Sequence, residues 1–254
     1  MASLELAGVT VTFGGLRAVD ALSFSVTSGS IKGIIGPNGA GKTTLFNAIS
    51  GITAPESGRV LLGGRDVTAL RPFQRAALGL SRTFQNLQIF GDMSVLENVM
   101  VGAHPRLHSG WLAGLTGRTR DEDQRAEEVA FQKLSMLGLE TRAADLAGSL
   151  GFADAKLLEI ARALASEPQL LLLDEPIAGV PPADQARIAD IIREVNGAGV
   201  TIVLVEHNMR VVMNLCADIL VMNYGARLAE GEPAVVARDP DVIAAYLGPE
   251  ARHA

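Results

Sequence analysis

Gly36-Pro37-Asn38-Gly39-Ala40-Gly41-Lys42-Thr43 sets glycines, one lysine and one hydroxyl at a spacing suited to gripping a polyphosphate. Glycines let successive backbone N–H groups turn inward on phosphate oxygens. A helix starting behind the loop adds a favourable positive partial charge. Lys42 would reach the β and γ oxygens, and Thr43, with Thr44 next to it, would offer a hydroxyl to Mg2+. A second group follows far downstream. The run Leu170-Leu171-Leu172-Leu173 delivers Asp174 and Glu175 at the carboxyl end of a strand, where ligands bind in α/β sheets. Asp174 suits a magnesium shell, and Glu175 suits a general base that polarises a water beside the γ-phosphate.

Weaker signals lie around these two. Val203-Leu204-Val205-Glu206 ends at His207, which could contact the γ-phosphate and position the water, or serve structure alone. Ser81-Arg82-Thr83-Phe84 leads to Gln85, whose neutral amide could touch Mg2+ or the attacking water. Phe13, ahead of Gly14-Gly15, could stack on adenine or belong to the core.

The elements that must carry these residues read as an α/β layering of short β-rich runs and helical patterns. Residues 3–12 and 21–27 alternate as strands. Residues 31–35 form a strand that stops at the glycine-rich turn, with a helix over 45–50 behind it. Residues 59–62 and 79–83 read as short strands, and 170–174 and 200–205 as buried parallel strands. Residues 217–223 and 227–230 look like a terminal strand pair turning at Tyr224-Gly225. The stretch 86–150 has helical spacing, and Ser94-Val95-Leu96-Glu97 fits a capping box. The charged run Arg118-Thr119-Arg120-Asp121-Glu122-Asp123 reads as a solvated helix start. The expected organisation is therefore an α/β core of residues 1–85 and 151–254 carrying an inserted helical subdomain, 86–150. The core should be a mixed sheet with an N-terminal antiparallel β portion.

Composition narrows the classes. The 254 residues carry 22 Lys+Arg against 28 Asp+Glu, a net charge of −6, which argues against a nucleic-acid partner. A single cysteine, Cys216, excludes an internal disulfide and suits a reducing compartment. Mean hydropathy is high at +0.26, yet no apolar run approaches the ~20 residues needed to cross a bilayer. The start, Met-Ala-Ser-Leu-Glu-Leu-Ala-Gly, has no signal-peptide pattern, so a cytoplasmic chain is expected.

Taken in order, the phosphate loop, Gln85, helical insertion, Leu-rich strand with Asp174-Glu175, and His207 resemble an ABC-transporter ATPase subunit, a P-loop NTPase. Phe13-Gly14-Gly15-Leu16, Arg82-Thr83-Phe84-Gln85-Asn86, Leu158-Glu159-Ile160-Ala161-Arg162-Ala163-Leu164, Val205-Glu206-His207-Asn208-Met209 and the tail Asp239-Pro240-Asp241-Val242-Ile243-Ala244-Ala245-Tyr246-Leu247-Gly248 narrow it to a resemblance to the branched-chain amino acid import ATPases. The resemblance implies ATP and Mg2+ as ligands and a peripheral place on the cytoplasmic face of the inner membrane. It also implies two ATPase subunits docked under two membrane permease subunits that receive solute from a binding protein. Amides, urea or other amino acids would suit related importers equally well.

One family feature departs from its pattern. Each composite ATP site joins the phosphate loop of one subunit to a signature segment of the other, usually Leu-Ser-Gly-Gly-Gln, with an aromatic third in this family. Here the segment reads Leu150-Gly151-Phe152-Ala153-Asp154. Gly151 lacks the hydroxyl, Ala153 adds a Cβ, and Asp154 places a carboxylate where phosphate would seek a helix N-terminus. Pro181 stands where the dimer-contact loop usually has Asp or Asn, which should stiffen that loop. The expectation is an intact half-site of the chain's own and a weakened one lent to its mate, which favours a heterodimer over a homodimer. Two other readings are a weakly hydrolysing regulatory subunit and a soluble ATPase of DNA repair or translation. The latter would want basic surfaces or a coiled-coil insertion, and neither is present.

Overall fold

Strand β1 (Ala2–Phe13) and strand β2 (Leu16–Thr27) pair antiparallel, and the computed structural model describes residues 2–83, 87–103 and 119–247. Leu4, Leu6, Val9 and Val11 of β1 are buried against Val19, Leu22, Phe24 and Val26 of β2. The inward set skips one position at Gly8, where φ is +62° and the register shifts. The extra residue is a bulge that keeps all the aliphatics on one face. β2 begins earlier than the alternation suggests because Ala21 sits at φ +45° and breaks the pattern. Strands β4 (Ser57–Leu62) and β5 (Arg65–Asp66) complete a four-stranded sheet in the order β2-β1-β4-β5.

The second sheet is built from β3 (Ile31–Ile35), β6 (Leu80–Arg82), β7 (Leu170–Asp174), β8 (Thr201–Val205), β9 (Asp218–Asn223) and β10 (Ala226–Gly231). Its order is β10-β9-β3-β8-β7-β6, parallel throughout except for the β9–β10 hairpin. Every residue of β3, β7 and β8 is buried. That is why these strands read as continuous aliphatic runs rather than alternations. In β7, Leu170 and Leu172 face the core shared with the antiparallel sheet, while Leu171 and Leu173 face the helices on the far side. The hairpin turns at Tyr224 and Gly225, both at positive φ, the geometry that matches strand twist.

Helix α1 (Lys42–Ser50) lies between the two sheets, burying Leu45, Phe46, Ala48 and Ile49. It starts at Lys42 rather than at residue 45 because Lys42, Thr43 and Thr44 carry no apolar signal. A short α2 (Pro72–Ala77) follows β5 and was not legible in the sequence. Further helices are α3 (Val95–Ala103), α4 (Thr119–Met136), α5 (Phe152–Leu164), α6 (Pro182–Gly197), α7 (Met209–Leu215), α8 (Pro233–Val236) and α9 (Pro240–Leu247). The capping box forms as expected: Ser94 N–H donates to Glu97 Oε2 at 2.8 Å and Glu97 N–H to Ser94 Oγ at 3.1 Å. α3 crosses α5 so closely at Gly102 that a Cβ there would sit 1.9 Å from the Arg162 carbonyl oxygen. Gln85 and the Gly- and Leu-rich segment 106–118 lie outside the described residues. Among the described residues no helix is long and apolar enough to cross a membrane.

Candidate active site

Parallel strands bring their carboxyl ends to one edge of the sheet, so the loops after β3, β7 and β8 meet there. The loop after β3 fits only glycine at two points. A Cβ on Gly36, at φ +154°, would fall 2.2 Å from the Met222 carbonyl oxygen; one on Gly41, at φ +99°, would fall 2.1 Å from that of Ala18. The back of the loop is laced to the rest of the core, Gly225 N–H donating to Ala40 O at 3.0 Å. Lys42 is buried, and its Nζ donates to the carbonyls of Gly36 at 2.7 Å and Pro37 at 3.0 Å. Burial lowers its pKa, while the carboxylates of Glu175 and Asp174 push it back up. The ammonium is thus folded onto its own loop and partly desolvated.

Phe13, Asn38, Gly39, Ala40, Gly41, Lys42, Thr43, Thr44, Glu175 and His207 all line one cleft of about 470 Å3. These are most of the residues singled out in the sequence. Gly36 and Pro37 stand just behind, holding Lys42. Glu175 occupies the left-handed region at φ +51°, a strained place for a glutamate and one typical of functional turns. Its N–H donates to Val205 O at 2.9 Å, and its Oε1 lies 2.9 Å from His207 Nε2. The histidine therefore aims the carboxylate from the neighbouring strand. Asp174 is 2% exposed; burial raises its pKa and the Arg82 guanidinium, 2.9 Å from Oδ2, works against that rise.

Two contributors escaped the sequence reading. In the sequence Arg82 is only part of the segment leading to Gln85, yet it is buried against Asp174. Glu206 has no role of its own in that reading, yet its carboxylate accepts from Ile177 N–H and His207 N–H, both at 3.0 Å. It stitches the turn after Glu175 to the turn that carries His207. Burial raises its pKa, countered by these backbone donors.

No group of three or more His, Cys, Asp and Glu side chains able to hold a metal occurs among the described residues. The oxygen donors Thr43 and Asp174 instead suit a hard cation that keeps waters and phosphates as its other ligands.

Residues 19–178 match the family model described as ABC transporter. The chain belongs to the ABC transporter ATPases. Residues 226–249 of this cassette also match a model described as branched-chain amino acid ATP-binding cassette transporter. It is 40% identical over 248 residues to the high-affinity branched-chain amino acid transport ATP-binding protein BraF of Pseudomonas aeruginosa, covering 96% of this chain and 97% of the relative. It is 39% identical, with the same coverage, to the protein LivG of the same description from Escherichia coli. Among solved structures, a nucleotide-free ATP-binding cassette from an ABC transporter superposes with a TM-score of 0.86 at 34% identity, covering 98% of this chain and 100% of the other. A cassette in its ADP conformation gives 0.85 at 34% identity, covering 98% and 99%.

In this cassette residues 150–154 lie away from the cleft. Gly151 precedes α5 with no side-chain cap. Phe152 is half exposed and packs on the turn at Gly179. Asp154 sits in the first turn of α5 and pairs with Arg187 of α6 at 2.9 Å and with Arg142 at 3.7 Å. Those arginines offset part of the repulsion its charge implied from sequence alone. Pro181 stands directly before α6.

Proposed function

We propose that this chain is the ATP-hydrolysing subunit of an importer for branched-chain or related amino acids, with an amide or urea importer as the second reading. The observation that carries the chemistry is the joining of the phosphate loop, Glu175 and His207 in one cleft. The names of the relatives carry the substrate class. Backbone N–H groups of the 36–43 loop, Pro37 excepted, and Lys42 would grip the triphosphate, and Phe13, 52% exposed and lining the cleft, would stack on adenine. Glu175, steered by His207, would take the proton of the attacking water as it approaches the γ-phosphorus. Thr43, Asp174 and Gln85 would hold Mg2+, which when bound neutralises charge on the phosphate oxygens.

The core of 1–85 and 151–254 would carry this chemistry, and the helical subdomain 86–150 would meet two permease subunits. A groove of about 550 Å3 between the end of β6, α3 and α5 suits that contact, exposing Phe90 and Val101. The subunit would then sit at the cytoplasmic face of the inner membrane. Gly151, Ala153 and Asp154 would weaken the signature it lends, so a heterodimer with a second ATPase is favoured over a homodimer. The test is reconstitution with the permease subunits and a partner ATPase. ATP-driven uptake lost in Lys42→Ala, and turnover by the pair exceeding that of the chain alone, are expected. Absence of MgATP affinity in the folded chain would overturn the reading, and full activity alone would overturn the heterodimer.

A further inference from the structure

Arg82 ends β6 and is the first residue whose surroundings join two parts of the molecule that the chemistry above treats apart. Its side chain is 7% exposed. Nη2 donates to Asp174 Oδ2 at 2.9 Å, and Nη1 donates to Asn47 Oδ1 at 2.7 Å and Ser50 Oγ at 3.1 Å. The guanidinium also lies over the Phe46 ring, 5.5 Å from its centroid. One planar fork therefore ties β7, at the carboxylate that closes the site, to α1, the helix that begins with Lys42 and Thr43. The same residue, with Phe90, Val101, Glu159 and Arg162, lines the groove of about 550 Å3, none of whose lining residues line the cleft.

A buried carboxylate is held in one rotamer by the donors that bond it, and here Arg82 is one whose other nitrogen is itself anchored on α1. Removing the guanidinium would take away the donor on Asp174 Oδ2 that is anchored to α1. A neutral amide in its place could keep one hydrogen bond but not the charge or the fork. We infer that Arg82 is the positioning residue of Asp174, holding one carboxylate oxygen, and that a permease segment seated in the groove acts on that carboxylate through this side chain. The inference rests on the proposed ATP site and permease contact, and goes beyond both by naming the residue that links them.

The experiment titrates Mg2+ against the isolated subunit holding a fluorescent, non-hydrolysable ATP analogue. Arg82→Gln should raise the half-saturating Mg2+ roughly tenfold, the scale of one charge-assisted hydrogen bond. Arg82→Lys should recover most of the loss, and affinity for the analogue in EDTA should not change in either variant. An unmoved or lowered Mg2+ midpoint, or an equal loss in EDTA, would overturn the role. Should Arg82→Gln fail to fold, Asn47→Ala, which removes one anchor of the guanidinium, must shift the midpoint in the same direction; no shift would overturn it too. Assembly with the permease subunits should move the midpoint in the unmodified protein and not in Arg82→Lys, whose single ammonium cannot span both anchors. Equal movement in both would refute the link to the groove. If the unmodified subunit bound no analogue at all, the ATP reading itself would have failed, a result distinct from all of these.

Discussion

Asp154→Gln separates what this carboxylate does for the fold from what it does to the partner's nucleotide. On the folding side it makes a half-exposed ion pair with Arg187 at 2.9 Å, a looser one with Arg142 at 3.7 Å, and sits in the first turn of α5. An exposed pair is worth about 0.5 kcal/mol and a carboxylate at a helix N-terminus about as much again. The substitution should therefore cost about 1 kcal/mol, or roughly 2–4 °C in Tm for a chain of this size. On the catalytic side, if a partner's phosphate docked roughly 6 Å from this charge in a partly wet interface of effective dielectric about 40, it would meet about 1.4 kcal/mol of repulsion per unit charge. The two arginines screen part of it, so turnover by the subunit alone should rise roughly three- to tenfold. Thermal unfolding and a phosphate-release assay on the same preparation read both. Arg187→Ala should also lower Tm, yet lower turnover instead of raising it, because it strips the screening from Asp154. A less stable but no more active Asp154→Gln would refute the claim that the signature's charge opposes ATP.

Three further outcomes follow from buried groups. Arg75 is fully buried and donates to the carbonyls of Ala48 at 2.7 Å, Ile49 at 2.6 Å, Leu70 at 3.1 Å and Thr68 at 2.9 Å, so Arg75→Ala should cost about 3 kcal/mol, read as a fall in denaturation midpoint. A loss near zero would mean water replaces the guanidinium freely. Burial, with Asp218 nearby, pushes the Cys216 thiol up to about 12, leaving about one part in ten thousand as thiolate at pH 8. Native protein should resist iodoacetamide for hours and react at once in denaturant; prompt native labelling would contradict that burial. Gly41→Ala should cut nucleotide affinity roughly ten- to a hundredfold in calorimetry, since the new Cβ meets the Ala18 carbonyl at a positive φ. Unchanged affinity would show that the loop yields.

Chemistry was most legible where one local pattern dictates it. The phosphate loop, β3 and β7 stand where their aliphatic runs and glycines put them, because strands buried on both faces need no context to be recognised. The positions of Asp174, Glu175 and His207 followed from the rule that parallel strands end at a common edge. What stayed hidden depends on contacts between distant segments. Arg82 and Asp174 are ninety-two positions apart, and nothing near Arg82 marks it as buried. Glu206 gains its meaning from Ile177, on another loop. Asp154 looked like a bare repulsive charge until α6 brought Arg187 alongside. The early part of β2 was obscured by Ala21, whose left-handed backbone breaks the alternation without altering residue type.

The asymmetry between the two ends of this cassette bears on how a dimer would work. Among the described residues, its own cleft brings three groups together: Lys42 is folded onto the loop, Glu175 is held at φ +51° and His207 is 2.9 Å from it. The surface at the start of α5 has no capping side chain, and its first turn already holds a carboxylate satisfied by arginine. A helix N-terminus so occupied has less positive potential left for an incoming phosphate. In a head-to-tail homodimer the two composite sites are equivalent, so both would share any loss at this surface. Paired with a subunit whose signature is intact, this chain would supply the catalytic groups to one well-formed site while its own α5 served the other. Strain at Glu175 persists only because surrounding contacts over-determine it, which fits a chain that supplies the working carboxylate rather than a passive partner.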